Sequence, residues 1–434
     1  MLLYLVRCKF TFKIIFLVAG LYIKVNSVSV MELKLIKIIE YFKFILPDLF
    51  FLLLKIKRIY KKRIVWLDNV SKNNLQELMS NDSCFSCSPV VRGSINKLYF
   101  KQDIGIYLYV FRNVVLNSHS SNFLLTNENV MLIERVVSAP VKYSNYSTGV
   151  IKLHNSEYAL IKLNRKTFYM NSILFMGGNG SFNYYHWLIE IAPKLLYVNN
   201  KILIEHEVDF IICDIKVEEI TSFSKILNIL LAENGVNTPV RYVKNKINIQ
   251  AKTALYINNF SNIVFNSKEK LSSVKYSYFH VESLKKMREV FVGLCENKEE
   301  KYNKIFLARK SDQVISYNQE EILNYFIKQG FLPVYLEDYT FEEQINIFYH
   351  ADFIVGPSGA AWANLIFCKE GSRAISWLPE QLSEFSVFSS LAEIFKCDLK
   401  FILTSMTSDR EKIHSDYIVD ISEVINLYEN FEFF

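Results

Sequence analysis

The residues with the clearest chemical potential follow a glycine-rich turn in the first half of the chain. The run Gly177-Gly-Asn-Gly180 stands in a sequence with only 13 glycines, and His186 and Glu190 come shortly after it. Because residues four apart share one face of a helix, we expect the imidazole and the carboxylate to touch, with Asn183 one turn earlier. A histidine held by a carboxylate can be a general base or can hydrogen-bond a polar substrate. The alternative is a histidine that only anchors the helix start.

A second glycine turn lies in the run Phe353-Ile-Val-Gly-Pro-Ser-Gly-Ala-Ala-Trp-Ala-Asn364. Its pattern predicts a buried strand, a tight turn and a helix over 359–368. Small residues at Ser358, Gly359 and Ala360 let a ligand approach the backbone, and the N–H groups of a helix start attract an anion such as a diphosphate. The same pattern occurs in every doubly wound domain, so by itself it is a weak signal.

Two adjacent cations, Arg309 and Lys310, follow the apolar strand predicted over 304–308. If this strand is a parallel neighbour of the strand at 353, both side chains would face the same cleft and pair with the anion. The alternative is a solvated surface turn, and the sequence leaves the two interpretations open.

Two α/β units are needed to position these residues. Strands and helices alternate from residue 172, with a helix predicted over 182–198, and a second alternation begins at 304. The sequence predicts an N-terminal α/β domain over 66–280 with a β-rich start, a linker helix and charged hinge over 281–303, a C-terminal Rossmann-like domain over 304–405 and a tail over 406–434. The carboxyl ends of both sheets are then expected to face a cleft, where such folds bind ligands.

Basic residues are concentrated at the start of the chain. Residues 1–65 contain 13 Lys and Arg but 3 Asp and Glu, whereas the remainder has a net charge of −4. The body therefore has no overall charge that favours nucleic acid. Residues 1–30 have an uncharged apolar run of only ten residues, too short to cross a bilayer, and are interpreted as an upstream extension or a weak signal-like segment. Residues 31–65 predict basic amphipathic helices on an anionic membrane surface, or else helices packed on the body.

The cysteines do not form a recognisable pattern. Seven are scattered along the chain, and Cys84-Phe-Ser-Cys87 is a single C-x-x-C without a second pair. This favours a reducing compartment and ordinary thiols over zinc or redox chemistry. The sequence also has no Asp-x-Asp, the usual carboxylate pair for a divalent cation on a diphosphate. We therefore expect no metal and no cofactor.

The two constellations together resemble glycosyltransferase family 61, also described as capsular polysaccharide biosynthesis proteins. The first family motif is matched by Asn183-Tyr-Tyr-His-Trp-Leu-Ile-Glu-Ile-Ala-Pro-Lys-Leu195. The second is matched by Ala351-Asp-Phe-Ile-Val-Gly-Pro-Ser-Gly-Ala-Ala-Trp-Ala-Asn-Leu-Ile-Phe367, with Ala308-Arg309-Lys310, Asn318-Gln-Glu-Glu-Ile322, Gly330-Phe331 and Thr340-Phe-Glu-Glu-Gln-Ile345 before it. The resemblance covers roughly residues 170–380 and keeps the order of several unusual residues.

The resemblance implies two Rossmann-like domains of the GT-B kind and inverting, metal-independent transfer from a nucleotide-sugar. Together with the chemistry of the motifs, the resemblance gives three sets of candidate site residues in this sequence. Those for catalysis are His186, Glu190 and Glu343; those for donor binding are Arg309, Lys310, Asn318, Ser358, Gly359, Ala360 and Asn364; those for acceptor binding are Asn183, Tyr185 and Trp187.

Three positions depart from the family pattern. Ser358 replaces the usual His of the glycine turn, Gln319 replaces a Glu, and Ser376-Trp377 stands where a Glu is common, with Glu380 the nearest substitute. The resemblance therefore does not imply an imidazole that holds the diphosphate in this chain, nor a ribose-binding carboxylate at these positions.

The expected function is a peripheral glycosyltransferase on the cytoplasmic face of a bacterial cell membrane. A nucleotide-sugar would be its co-substrate, and a lipid-linked or growing capsular polysaccharide, exopolysaccharide or lipopolysaccharide its acceptor. Its partners would be these substrates and the anionic membrane surface, without nucleic acid. Because three family positions are substituted, the alternative is a non-catalytic nucleotide- or sugar-binding protein of the same fold in a membrane assembly.

Overall fold

The computed structural model of the 434-residue chain describes residues 58–70, 75–91, 97–134, 149–263, 274–294, 302–310, 316–406 and 416–433. The chain divides into two compact units, residues 1–60 and 61–434. The predicted segment 1–30, most of the segment 31–65 and the charged run 296–301 lie outside the described residues. The candidate site belongs entirely to the second unit.

Two sheets contain the described strands. The strands are β1 Ile59–Trp66, β2 Leu75–Cys87, β3 Val90–Val91, β4 Tyr99–Leu116, β5 Asn122–Leu125, β6 Val130–Ile133, β7 Ile151–His154, β8 Tyr158–Lys162, β9 Lys166–Met176, β10 Phe210–Asp214, β11 Val240–Val243, β12 Ile247–Ile257, β13 Asn262–Ile263, β14 Ser277–His280, β15 Lys304–Leu307, β16 Leu332–Val334, β17 Phe353–Pro357, β18 Arg373–Pro379, β19 Asp398–Met406 and β20 Tyr417–Ile418.

The first sheet combines parallel and antiparallel strands. Its main order is β11-β10-β9-β12-β4-β5-β6-β1-β8-β7, with β2, β13 and β14 attached beside it. Strands β9 to β12 pair in parallel, and β12 pairs antiparallel with the long β4. The second sheet has the order β16-β15-β17-β18-β19-β20, and its strands from β16 to β19 are parallel. The prediction of a mixed α/β fold is confirmed, whereas the GT-B arrangement of two domains stays a prediction.

The α-helices of the described residues are α1 Asn200–Glu205, α2 Ile215–Glu219, α3 Thr221–Glu233, α4 Val281–Val292, α5 Gln319–Lys328, α6 Phe341–His350, α7 Val387–Ile394 and α8 Ile421–Glu429. A π-helix spans His186–Ile191, and 3-10 helices span Leu67–Asn69, Ala192–Tyr197, Val274–Tyr276, Leu336–Asp338, Ala360–Phe367, Glu380–Leu382 and Phe431–Phe433.

Both motif helices differ from the regular α-helices that the sequence predicts. Within the predicted helix 182–198, a π-helix over His186–Ile191 is followed by a 3-10 helix over Ala192–Tyr197, and Pro193, which has no N–H to donate, lies near the junction. Within the predicted helix 359–368, Ala360–Phe367 form a 3-10 helix. The predicted helical segment 31–65 is also wrong at its end, because Ile59–Trp66 is a strand whose residues from Arg63 pair in parallel with β6. Its β-branched and aromatic side chains favour that conformation.

One hydrophobic core joins the two sheets. It includes Leu174 and Ile211 of the first sheet, Ile305 and Ile354 of the second, and buried side chains of the helices that follow these strands. Residues from the β-rich start also reach the second sheet, where β3 pairs in parallel with β19. The two halves of the second unit therefore share a core and a strand pairing.

The C-x-x-C cysteines are part of this packing. Cys84 and Cys87 are free thiols without solvent exposure, and the Sγ of Cys87 contacts the carbonyl of Ser389. Burial raises the pKa of Cys84 well above its usual range and that of Cys87 to about 12. Both thiols are therefore protonated at neutral pH, as the interpretation of ordinary thiols expects.

Candidate functional site

The glycine turn after β9 supports the His186 ring. Gly180 has a φ of +78°, and a Cβ placed on it would lie 2.3 Å from His186 Cδ2. The absence of a side chain therefore does two things: it permits the left-handed backbone and it leaves room for the imidazole. The turn is held from the side by Ser118, whose carbonyl accepts from the Gly178 amide and the Ser181 hydroxyl.

His186 and Glu190 touch, as their spacing predicts. His186 Nδ1 lies 2.6 Å from Glu190 Oε2, and the other carboxylate oxygen accepts from the Ile263 amide at 2.6 Å. Glu190 is 3% exposed. An ionised carboxylate only accepts hydrogen bonds, so it favours the tautomer with the proton on Nδ1. Nε2 is then the ring nitrogen that can take a proton.

A second imidazole–carboxylate pair lies beside the same turn. His119 Nε2 is 2.8 Å from Asp214 Oδ2, which also accepts from Ser118 Oγ at 2.7 Å. Burial alone would raise the pKa of Asp214, but hydrogen bonds from His119, the Lys216 amide and Ser118 outweigh it and lower the pKa. The His119 ring packs against Phe182, with centroids 4.6 Å apart. The sequence does not signal this pair, because its members are far apart in the chain and belong to neither motif.

The second sheet forms a pocket of about 200 Å³ at the carboxyl ends of β15, β16 and β17. It is lined by Leu307, Ala308, Arg309, Val334, Leu336, Glu337, Pro357, Gly359, Ala360 and Ala361. Three predicted donor-binding residues, Arg309, Gly359 and Ala360, therefore meet in one pocket. Glu337 is a pocket carboxylate that the sequence analysis did not single out, whereas Glu380 is not among the lining residues.

Arg309 is fixed at both its backbone and its side chain. Its amide donates to Gln319 Oε1 at 2.7 Å, and its carbonyl accepts from Gln319 Nε2 at 2.7 Å. Its Nη2 donates to the Ser358 carbonyl at 2.5 Å. A Cβ on Gly359 would lie 3.3 Å from that same Nη2. The cation is thus held against the glycine turn, as the parallel pairing of β15 and β17 requires.

A direct hydrogen bond connects the two motifs. The Tyr184 hydroxyl donates to Asn364 Oδ1 at 2.5 Å, and Asn364 is fully buried in the 3-10 helix that begins at the pocket. Burial raises the pKa of Tyr184, so the phenol donates as a neutral group. Asn364 therefore links the halves of the site and is placed as a structural partner of the first motif.

Three further predicted donor or catalytic residues make contacts of their own. Lys310 forms an exposed ion pair with Asp338, its Nζ 2.5 Å from Oδ1. Asn318 bonds to both the amide and the carbonyl of Val419, each at 2.9 Å. Glu343 completes the capping box of α6, where its Oε2 accepts from the Thr340 amide at 2.7 Å. The structure does not bring Glu343 to His186.

The predicted acceptor residues are mostly internal. Trp187 has no exposure, its Nε1 donates to the Phe223 carbonyl, and its ring stacks on Phe223. Tyr185 is 3% exposed and packs edge-on against Phe388. Asn183 is half-buried, and its Oδ1 accepts from the Tyr185 amide. The buried rings of Trp187 and Tyr185 give the acceptor prediction no support, because they position the π-helix in the core.

A family match lies in the region that contains both motifs. The model of the family described as Glycosyltransferase 61 matches residues 184–375. This match supports an assignment to glycosyltransferase family 61. The match covers a little under half of the sequence and spans both constellations, from Tyr184 to the strand after the glycine turn. It supports the resemblance that the motifs indicated.

That family implies a sugar donor and an acceptor, and the α/β architecture of this chain is compatible with such an activity. Its matched region contains His186, Glu190, Arg309 and Asn364, but begins one residue after Asn183. No match to a curated protein is found.

In the described ranges, no three His, Cys, Asp or Glu side chains gather as metal ligands would. No helix in those same ranges has both the length and the apolar character to cross a bilayer.

Proposed function

We propose that this protein is a glycosyltransferase that transfers a sugar, with inversion and without a metal, from a nucleotide-sugar to a hydroxyl of a surface polysaccharide. The observation that carries the proposal is the Arg309 pocket at the carboxyl edge of the second sheet, joined through Asn364 and Tyr184 to the His186–Glu190 pair. The Asp-x-Asp absent from the sequence supports protein cations in place of a metal.

The donor diphosphate would occupy the pocket. The Arg309 guanidinium is always charged and presents several donors in a fixed plane, which suits a diphosphate. The 3-10 helix Ala360–Phe367 begins on the pocket wall, where its N-terminal end adds positive potential. As the bond from the anomeric carbon to the diphosphate breaks, the leaving oxygen gains negative charge, which Arg309 stabilises.

The acceptor would approach from the first motif. Its hydroxyl gives the proton to His186 Nε2 while its oxygen attacks the anomeric carbon, and the diphosphate leaves from the opposite face. A single displacement of this kind inverts the configuration. Glu190 stabilises the imidazolium that forms, because it already holds Nδ1 at 2.6 Å.

The charge pattern of the chain supports a site of action at the cytoplasmic membrane surface. The net charge of +10 over residues 1–65 suits anionic lipid, where lipid-linked acceptors lie. The proposed acceptors are growing capsular polysaccharide, exopolysaccharide or lipopolysaccharide.

A non-catalytic binding protein of the same fold is the second candidate. Two observations favour it: Ser358 stands where the family has an imidazole, and Lys310 is paired with Asp338 away from the pocket lining. Incubating the protein with a panel of nucleotide-sugars separates the two. Release of free nucleoside diphosphate supports the transferase, whereas saturable binding of a nucleotide-sugar without release supports the binding protein.

A further inference from the structure

The last three strands of the first sheet have one buried and one exposed face. Strands β1, β8 and β7 lie side by side at the end of the sheet order. Ile64 of β1, Ile151 of β7 and Ile161 of β8 are buried, and Ile151 pairs directly with Ile161. Because side chains alternate between the two faces of a strand, the chain neighbours of these isoleucines point outward.

Four cations and a tyrosine occupy the outward positions and are exposed. The Nζ of Lys61 lies 3.8 Å from the centroid of the Tyr158 ring, a contact that connects β1 to β8 across this face. Tyr158 itself is 41% exposed. The residues of this basic face are Lys61, Arg63, Lys152, Tyr158 and Lys162.

The positive charge of the basic face is not matched by acidic residues of the same strands. Strand β1 has none, and Glu157 is the only acidic residue between 151 and 162. Partial burial and repulsion by Lys162 lower the pKa of Lys152, so these two cations are close enough to repel each other. The chain after residue 65 has a net charge of −4, so the basic face is not typical of the rest of the protein.

Protection of a sheet edge explains only part of this pattern. Lysines on an edge strand prevent it from pairing with another chain. That role accounts for Lys152, because β7 is the terminal strand. It does not account for Lys61 and Arg63, which lie two strands further in. The inner cations therefore indicate an anionic partner for the whole face.

We propose that the basic face binds the anionic lipid of a membrane surface. Each cation near such a surface raises the affinity by about fivefold, and tyrosine rings favour the level of the lipid headgroups. The apolar run 49–54 lies just before β1 in the sequence and favours lipid over an acidic polysaccharide, because lipid also takes up apolar side chains. The inference rests on the proposed membrane location. Four cations bind weakly by themselves, so the face strengthens the contact made by the start of the chain.

The test measures binding of the full-length protein to vesicles of phosphatidylglycerol and phosphatidylcholine in equal parts, at low salt. Lys152 and Lys162 are remote in sequence from the basic start of the chain, so the folded sheet alone brings them to this face. Lys152→Gln combined with Lys162→Gln should lower the partition coefficient by about tenfold or more. The matched control is Lys285→Gln combined with Lys328→Gln, which removes two exposed cations from α4 and α5. We expect it to stay within about threefold of the wild type.

The outcomes separate this inference from the proposed function. Equal partition of the wild type and the Lys152/Lys162 variant, or an equal loss in the control, would overturn the inference and leave attachment by residues 1–57 intact. A full-length protein that does not bind these vesicles would contradict both. Unchanged vesicle binding with lost binding to dextran sulfate would assign the face to an acidic polysaccharide instead. Vesicle binding is measured without substrate, so it does not depend on turnover.

A second pair of substitutions keeps the test decisive if the first variant does not fold. Lys61→Gln combined with Arg63→Gln removes the two cations of the neighbouring strand, and circular dichroism checks the fold of both variants. The partition coefficient should fall by about tenfold or more here too. A folded variant with wild-type partition would overturn the inference.

Discussion

At the scale of single residues, the site contains two imidazole–carboxylate pairs of which the sequence predicts one. His186 and Glu190 are four residues apart in one motif, so helical spacing alone brings them together. His119 and Asp214 meet through the sheet, since one follows β4 and the other ends β10. Nothing local in the sequence signals that pairing.

The two pairs make the choice of base testable. His186→Ala should lower kcat by about a hundredfold or more, because it removes the proposed proton acceptor. The matched variant is His119→Ala, which removes the other ring of the same turn. We expect it to keep kcat within about tenfold of the wild type, since His119 lies outside the proposed proton path. Steady-state release of nucleoside diphosphate measures both. A larger loss of kcat in His119→Ala than in His186→Ala would indicate that His119 is the base.

At the scale of elements, two glycines with similar backbone conformations allow the effect of backbone strain to be distinguished from the effect on the site. Gly180 and Gly235 both have left-handed φ values, +78° and +60°. A Cβ on Gly180 would collide with the His186 ring, whereas one on Gly235 would meet nothing within 4 Å. Alanine at the two positions therefore imposes similar backbone strain but only one of the two variants disturbs the site.

We expect Gly235→Ala to lower the free energy of unfolding by about 1 kcal/mol and to leave kcat unchanged. Gly180→Ala should lower the free energy of unfolding by at least as much. It should also lower kcat by about tenfold or more, because the His186 ring must move away from Glu190 to avoid the new methyl group. Denaturant unfolding and turnover of both variants provide the measurements. Equal kcat values in the two variants would show that Gly180 does not position His186.

The elements also show where sequence patterns lose information. Strands β9, β10, β15 and β17 follow from apolar runs between turns, and their parallel pairing brings Arg309 to the glycine turn as expected. The pattern does not reveal that a π-helix replaces the first motif helix, because the apolar spacing of the two is similar. Nor does it reveal β3, two residues whose pairing with β19 depends on tertiary packing.

Several motif residues that the sequence predicts for the site also have structural contacts. Asn318 and Glu343 hold neighbouring backbone, and Trp187 fills the core. A motif residue can be retained for folding as well as for chemistry, and a single sequence does not separate the two. Lys194 is the opposite case: it lies in the motif without being predicted for the site, and its buried hydrogen bond to Asn259 is visible only in the structure.

At the scale of the whole molecule, the charge asymmetry predicts membrane attachment by the start of the chain. Because β1 begins at Ile59, the deletion that tests this should end at residue 57 and leave the strand intact. The full-length protein should sediment with vesicles containing anionic phosphatidylglycerol at low salt, and the shortened protein should not, since each basic residue contributes about 1 kcal/mol.

Neutral phosphatidylcholine vesicles provide the control, with weaker binding of the full-length protein expected. Equal sedimentation of the full-length and shortened proteins would place the membrane contact outside the deleted segment. A full-length protein that remains in the supernatant with anionic vesicles would contradict the predicted membrane attachment. Circular dichroism of the shortened protein checks that the fold survives.

The central claim concerns the Arg309 pocket, and the most direct test is the rate of nucleoside diphosphate release by Arg309→Ala. The assay uses the nucleotide-sugar that the wild type turns over, with a chelator present, and Lys310→Ala is the matched variant. We predict that wild-type release persists in the chelator, that Arg309→Ala is slower by about a hundredfold or more, and that Lys310→Ala stays within about tenfold. Near-normal release by Arg309→Ala, or release that the chelator abolishes, would contradict the account.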